Sequence, residues 1–209
     1  PNVTKQKAWD TEKARHEERI RDLRAKCREE IRKANRDTIV SKSAQCLRSD
    51  LMEELALRRK EKQFMESLPN VDAAVLSAYS SAVDKLMDAQ SAIVDGIDTN
   101  VYSTVELLQT AKRKLRDQYR QPYWTAFFRL SADRLVPWTA WQVDRMDYLL
   151  SEEPETAAET QVSCLEETVN LIAIVKYSEF GTALTSLKTA LAKSRECAAT
   201  LRILVETEG

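Results

Sequence analysis

The fold is decided by residues 164–197, which read CLEETVNLIAIVKYSEFGTALTSLKTALAKSREC. A cysteine stands at each end of this stretch, and its midpoint falls at Gly181 and the residue before it. Apolar residues recur at helical spacing on both sides of this glycine. The pattern predicts two antiparallel helices, about 155–179 and 183–207, that turn at Gly181. Cys164 and Cys197 would then stand opposite each other and form a disulfide.

A second cysteine pair shows the same symmetry nearer the start of the chain. The midpoint of Cys27 and Cys46 falls beside Asn35, a residue that can end a helix in the left-handed conformation. Asp37 or Thr38 can cap the helix that follows. We therefore expect a second hairpin clamped by a Cys27–Cys46 disulfide, although one unbroken helix over residues 4–67 remains the alternative.

The two predicted disulfides indicate where the protein resides. Disulfides persist in oxidising compartments, so we expect an extracellular, cell-surface or periplasmic protein. The alternative is a cytosolic protein whose four cysteines are reduced and packed in its core. The sequence has no run of 18 or more apolar residues, and we therefore expect no transmembrane segment.

Composition restricts the fold class. The 209 residues include only three glycines and five prolines. Barrels, β-sandwiches, dinucleotide-binding folds and P-loop enzymes all need glycines at fixed places, so these classes are excluded. With 32 basic and 33 acidic residues, the net charge gives no reason to expect nucleic acid. The sequence predicts an all-α protein, an elongated bundle of long antiparallel helices with an aromatic cap of short helices.

Four segments of one structural domain are predicted along the chain. Residues 1–68 would form the charged N-terminal hairpin, and Leu68-Pro69-Asn70 would break the helical pattern. In residues 69–121 apolar residues recur every three or four positions, and this spacing continues in phase through Gly96. It predicts one helix of about 50 residues. Residues 122–150 would form the aromatic cap after Pro122 ends that helix, and residues 151–209 the C-terminal hairpin.

The aromatic segment supplies the candidate binding residues. Trp, Tyr and Arg dominate the energetics of protein interfaces, and all three types are concentrated here. A packing role, in which the rings cap the end of the bundle, is the alternative. The candidates are Tyr123, Trp124, Phe127, Phe128, Arg134, Trp138, Trp141 and Arg145.

A basic cluster precedes these rings, and includes Lys112, Arg113, Lys114, Arg116 and Arg120. Cations at the end of a helix complement its dipole, which is the simplest interpretation of the cluster. Basic residues beside aromatic rings are also found at anionic membrane surfaces and along nucleic acids.

No catalytic or metal-binding motif is visible. His16 is the single histidine, and the position four residues later is Ile20, so a zinc-protease HExxH motif is not formed. A di-iron bundle needs two Glu-x-x-His motifs and is excluded as well. We expect His16 to line a helix seam or face solvent, and we expect no enzyme activity, metal or cofactor.

The sequence thus favours a non-enzymatic secreted or cell-surface helical protein that acts through protein–protein contacts. It would be an adhesin, a surface-structural protein or an assembly subunit, with a protein partner or a second copy as its ligand. One alternative is a helical carrier of an apolar ligand, or a protein that contacts a membrane surface peripherally. Another is a cytosolic coiled-coil scaffold. A small-molecule ligand and nucleic acid are not favoured.

Overall fold

The computed structural model describes the backbone of residues 2–152 and 158–207, with side chains for residues 4–136 and most of 163–197. Helices account for 87% of the chain, and the described residues contain no strand, which confirms the all-α prediction. Within this part of the chain the α-helices are α1 (Asn2–Arg32), α2 (Ile39–Glu66), α3 (Ala73–Asp98), α4 (Val105–Lys114), α5 (Gln121–Glu152), α6 (Ala158–Tyr177) and α7 (Phe180–Thr207).

The chain divides into two compact units, which differs from the expected single domain. Unit 1 comprises Pro1–Leu68 and Ser80–Tyr123, and unit 2 comprises Pro69–Tyr79 and Trp124–Gly209. The division falls inside α3 and α5, so sequence segments do not coincide with compact units. Within the described residues, every helix is too short or too polar to cross a membrane.

In unit 1, α1 and α2 form the predicted N-terminal hairpin. Three ion pairs join the helices, and residue numbers rise along α1 as they fall along α2, so the helices are antiparallel. The pairs are Glu12–Lys60, Arg19–Glu53 (2.6 Å) and Arg24–Asp50 (2.8 Å). The predicted Cys27–Cys46 disulfide is present, with Cα atoms 5.6 Å apart.

The turn of this hairpin differs in detail from the prediction. Asn35 does not adopt a left-handed conformation. Its side-chain Oδ1 instead accepts hydrogen bonds from the Thr38 backbone N–H (3.0 Å) and hydroxyl (2.7 Å). Asn35 therefore closes the turn through its side chain, as asparagine does in many turns, and the alternative of one helix over residues 4–67 is wrong.

The predicted helix of about 50 residues is interrupted after Asp98. Asn100 has φ 57°, the Val101 N–H donates to the Gly96 carbonyl (2.8 Å), and the Asn100 N–H donates to the Ile97 carbonyl (3.1 Å). These two bonds and the left-handed residue form a Schellman motif, which terminates a helix. Thr104 then caps α4 by accepting a hydrogen bond from the Leu107 N–H. The apolar phase is preserved across the break, which is why the sequence pattern did not reveal it.

The predicted end at Pro122 is also wrong. Proline in a regular α-helix removes a hydrogen bond and clashes with the carbonyl four residues earlier. Here residues Leu115–Arg120 form a π-helical segment, whose wider turn changes that spacing, and α5 continues to Glu152. Residues 122–150 are therefore part of one long helix instead of several short ones.

In unit 2, α6 and α7 form the predicted C-terminal hairpin. The predicted Cys164–Cys197 disulfide is present, with Cα atoms 5.9 Å apart. The turn lies at Ser178 and Glu179, and the Glu179 carbonyl accepts from the Ala183 N–H (2.8 Å). Gly181 is thus inside the first turn of α7 with an ordinary helical φ, so the predicted turn position was about two residues too late.

Candidate binding groove in unit 1

The predicted aromatic candidates contribute mainly to the two cores. Tyr123 is 1% exposed and belongs to unit 1. Phe128 is buried in unit 2, where Trp124 stacks on it with ring centroids 5.6 Å apart and Phe127 meets it edge to face. Tyr123 and Phe128 are therefore buried, whereas Trp124 and Phe127 are half-buried and pack against the unit 2 core. The predicted role of these four residues in binding stays a prediction.

The remaining candidates lie further along α5. Arg134 is half-buried. Trp138, Trp141 and Arg145 have backbone within α5, but their side chains lie outside the described residues. Their predicted role in binding stays a prediction.

Unit 1 also contains a groove that the sequence pattern does not reveal. It has a volume of about 530 Å³ and runs between the α1–α2 hairpin and α4. The apolar part of its lining consists of Leu23, Cys27, Ile31, Ile39, Cys46, Leu47, Val105 and Leu108. Its polar part consists of Arg24, Arg28, Ser43, Asp50, Gln109 and Lys112.

Helix periodicity explains why these residues meet. On α1, Leu23, Cys27 and Ile31 are spaced four residues apart, so they share one face of the helix. On α4, Val105 and Leu108 are three residues apart and share another. The disulfide joins the α1 and α2 walls and becomes part of the floor, which fixes the spacing between those two helices.

Acidic side chains hold one cation at the groove wall in place. Arg24 donates through Nε to Asp50 Oδ1 (2.8 Å) and through Nη2 to Glu54 Oε1 (2.6 Å). Burial opposes the charge of Arg24, but these two carboxylates outweigh it and hold the pKa of the guanidinium above its ordinary value. The same pairing neutralises Asp50, the acidic residue among those that line the groove.

Glu54 extends this network beneath the surface. Its Oε2 accepts from Arg120 Nη2 (2.5 Å) and from Nε2 of the fully buried Gln90 (2.7 Å). Glu54 therefore anchors Arg24 and Arg120 together. Arg120 lines a smaller adjacent cavity of about 170 Å³, along with Lys112, Arg113 and Arg116.

Two cations at the groove remain unpaired. Arg28 and Lys112 are exposed, and neither forms an ion pair with another described residue. The groove thus combines an apolar floor with uncompensated positive charge. This arrangement can attract an apolar surface that carries carboxylates.

His16 lies elsewhere in unit 1, on the seam between α1 and α2. It is 3% exposed, and its Nδ1 is 2.7 Å from Glu53 Oε1. This agrees with the seam-lining position expected for it. In the described part of the chain, no group of three His, Cys, Asp or Glu side chains is arranged to hold a metal ion.

Comparison with known proteins finds no family model, curated protein or solved structure that matches this chain.

One sequence signal pointed toward the groove. Lys112 occupies a position of the apolar stripe that leads from α4 into Leu115, so a cation stands where a core residue is expected. The structure explains this position, because Lys112 lies at the rim shared by the two cavities. Which residues of α1 and α2 face Lys112 depends on how α4 is placed against the hairpin, and composition and periodicity do not provide that placement.

Proposed function

We propose that this protein is a non-enzymatic, secreted or cell-surface helical protein that acts through protein–protein contacts at the unit 1 groove. The observation that carries the proposal is the apolar floor bordered by the unpaired Arg28 and Lys112 on a disulfide-clamped hairpin. Apolar area flanked by arginine is typical of interface centres. The two disulfides support an oxidising compartment.

The shape of the groove favours a protein over a small ligand. Small-molecule sites usually enclose 70–90% of the ligand surface. The groove is only partly enclosed, because the residues of α1, α2 and α4 that line it leave one side open. A partner surface can cover that side, whereas a small apolar ligand would remain partly in water.

Photo-crosslinking in the producing cells tests this proposal. A photoreactive phenylalanine analogue is placed at position 31 or 109, which line the groove, and at the exposed positions 26 and 114, which do not. We expect an adduct of protein size from positions 31 and 109 and none from positions 26 and 114.

Four results would contradict the proposal. Absence of a groove adduct, or equal adducts from all four positions, would exclude a specific protein contact there. An adduct whose added mass is that of a small molecule would favour the apolar-ligand carrier. Free thiols at all four cysteines, shown by alkylation at the moment of harvest, would favour the cytosolic scaffold.

A further inference from the structure

We infer that the groove receives an acidic amphipathic helix of the protein partner, with apolar side chains on the groove floor and carboxylates toward Arg28 and Lys112. This inference rests on the proposed function, because it names the kind of partner that the same surface would bind.

The dimensions of the groove match one face of a short helix. Along α1 the floor extends from Leu23 to Ile31, about 12 Å at the rise of an α-helix. Along α2 the apolar lining extends from Ile39 to Leu47, also about 12 Å. Helices that bind in grooves insert side chains at positions i, i+3 or i+4, and i+7, which span about 10 Å. Two to three turns of a partner helix therefore cover the floor.

The charged residues at the groove favour an acidic partner helix over a basic one. Six cations line the groove and its adjacent cavity, namely Arg24, Arg28, Lys112, Arg113, Arg116 and Arg120, whereas Asp50 is the acidic residue in these linings. Asp50 is paired with Arg24. Because Arg28 and Lys112 keep uncompensated charge, glutamates or aspartates on the flanks of a docked helix gain attraction there, and lysines are repelled.

Three synthetic peptides of about 18 residues test the inference on the full chain. The first carries leucines at helix-spaced positions with glutamates on both flanks. The second has lysine at every glutamate position, and the third keeps the composition of the first but moves the leucines off one face. In fluorescence anisotropy, we expect the first peptide to bind at least about tenfold more tightly than either of the others. Its affinity should fall as salt is raised, because the attraction is electrostatic.

Charge-reversal variants locate the binding site. Arg28→Glu combined with Lys112→Glu should weaken binding of the acidic peptide at least about tenfold. The matched control is Lys26→Glu combined with Lys114→Glu, which makes the same charge change on α1 and α4 at exposed positions outside both cavities. We expect the control to lose less than about threefold, through the change in net charge alone.

The inference is overturned if the acidic and basic peptides bind equally, if none of the peptides binds, or if the two double variants lose affinity equally. A failure of these peptides together with protein-sized adducts at positions 31 and 109 would reject the acidic helix and leave the proposed function standing. Absence of those adducts would instead reject the proposed function itself.

Discussion

Glu61 is a buried carboxylate of unit 1, at 2% exposure. The Tyr123 hydroxyl donates to its Oε1 (2.5 Å), and Arg58 Nη1 donates to its Oε2 (2.5 Å) and also to the Tyr123 hydroxyl. The guanidinium carbon of Arg58 lies 4.7 Å from the centre of the Tyr123 ring. Burial opposes the charge of Arg58, but Tyr123 and Glu61 outweigh it and raise the pKa of the guanidinium.

Replacing either partner of Arg58 should destabilise the protein by different amounts. We expect Glu61→Ala to lower the free energy of unfolding by about 3 kcal/mol or more, because it removes the carboxylate that compensates a buried cation. Tyr123→Phe removes one hydroxyl and should cost about 1–2 kcal/mol. Urea denaturation followed by circular dichroism measures both changes.

The control for these variants is an exposed ion pair. Asp117 pairs with Arg116 on the surface, where solvent screens the charges, so Asp117→Ala should leave the free energy of unfolding unchanged. If Glu61→Ala proves as harmless as this control, the buried network does not stabilise unit 1.

The example of Tyr123 shows that residue type alone does not distinguish a binding residue from a core residue. Its position among aromatic residues indicated either recognition or packing, and both use the same side chains. The difference lies in what covers the ring. Tyr123 is covered because the backbone continues as a helix past Pro122 and brings the ring against Arg58 and Glu61 of α2. That continuation depends on a π-helical turn, for which the sequence carried no signal.

At the scale of elements, the hairpins were predictable and the helix interruption was not. Each cysteine pair is placed symmetrically about a turn. A disulfide between such cysteines requires the two flanking helices to be antiparallel, and this predicts the pairing of α1 with α2 and of α6 with α7. Nothing comparable marks the end of α3. The apolar period passes through it unchanged, and a single left-handed residue, Asn100, redirects the backbone.

The segment after α3 returns to pack on that helix. An added Cβ at Gly96 would lie 2.7 Å from Cε2 of the Tyr102 ring. The absence of a side chain at Gly96 therefore provides the space that Tyr102 occupies. Arg48 of α2 holds the same helix end by hydrogen bonding to Asp98 (2.6 Å), which lowers the pKa of that carboxyl below its ordinary value.

A double-mutant cycle measures this contact. Gly96→Ala should gain about 1 kcal/mol of helix propensity in a Tyr102→Ala background, where the ring is absent. In the wild-type background the same change must displace the ring, so the gain should be smaller by at least about 0.5 kcal/mol or become a loss. The measurement is the free energy of unfolding of the four proteins. Additivity within about 0.3 kcal/mol would show that the ring does not occupy that space.

At the scale of the whole molecule, each compact unit contains one disulfide. Cys27–Cys46 lies in unit 1 and forms part of the groove floor, whereas Cys164–Cys197 lies in unit 2. Both crosslinks were predictable from spacing. The division into units was not, because one boundary falls inside α3, where the sequence predicts an unbroken helix, and another falls inside α5, whose continuation past Pro122 was not predicted. The groove was equally unpredicted, because α4 is far in the sequence from the α1–α2 hairpin with which it forms the groove.

The two disulfides provide a matched pair for separating stability from binding. Their loops of 19 and 33 residues imply stabilisation of about 3 and about 4 kcal/mol through the restricted unfolded chain. We therefore expect Cys27→Ser/Cys46→Ser and Cys164→Ser/Cys197→Ser to reduce the free energy of unfolding by similar amounts in urea.

Binding of the acidic peptide should distinguish the same two variants under conditions where both are folded. Loss of Cys27–Cys46 releases the α1 and α2 walls of the groove, so part of the binding energy must be used to order them, and we expect at least about a threefold loss of affinity. Loss of Cys164–Cys197 changes no groove residue, and the affinity should stay within about twofold of the wild type. Equal losses in the two variants would mean that the peptide responds to general destabilisation, and unchanged affinity in both would mean that the clamp does not organise the groove.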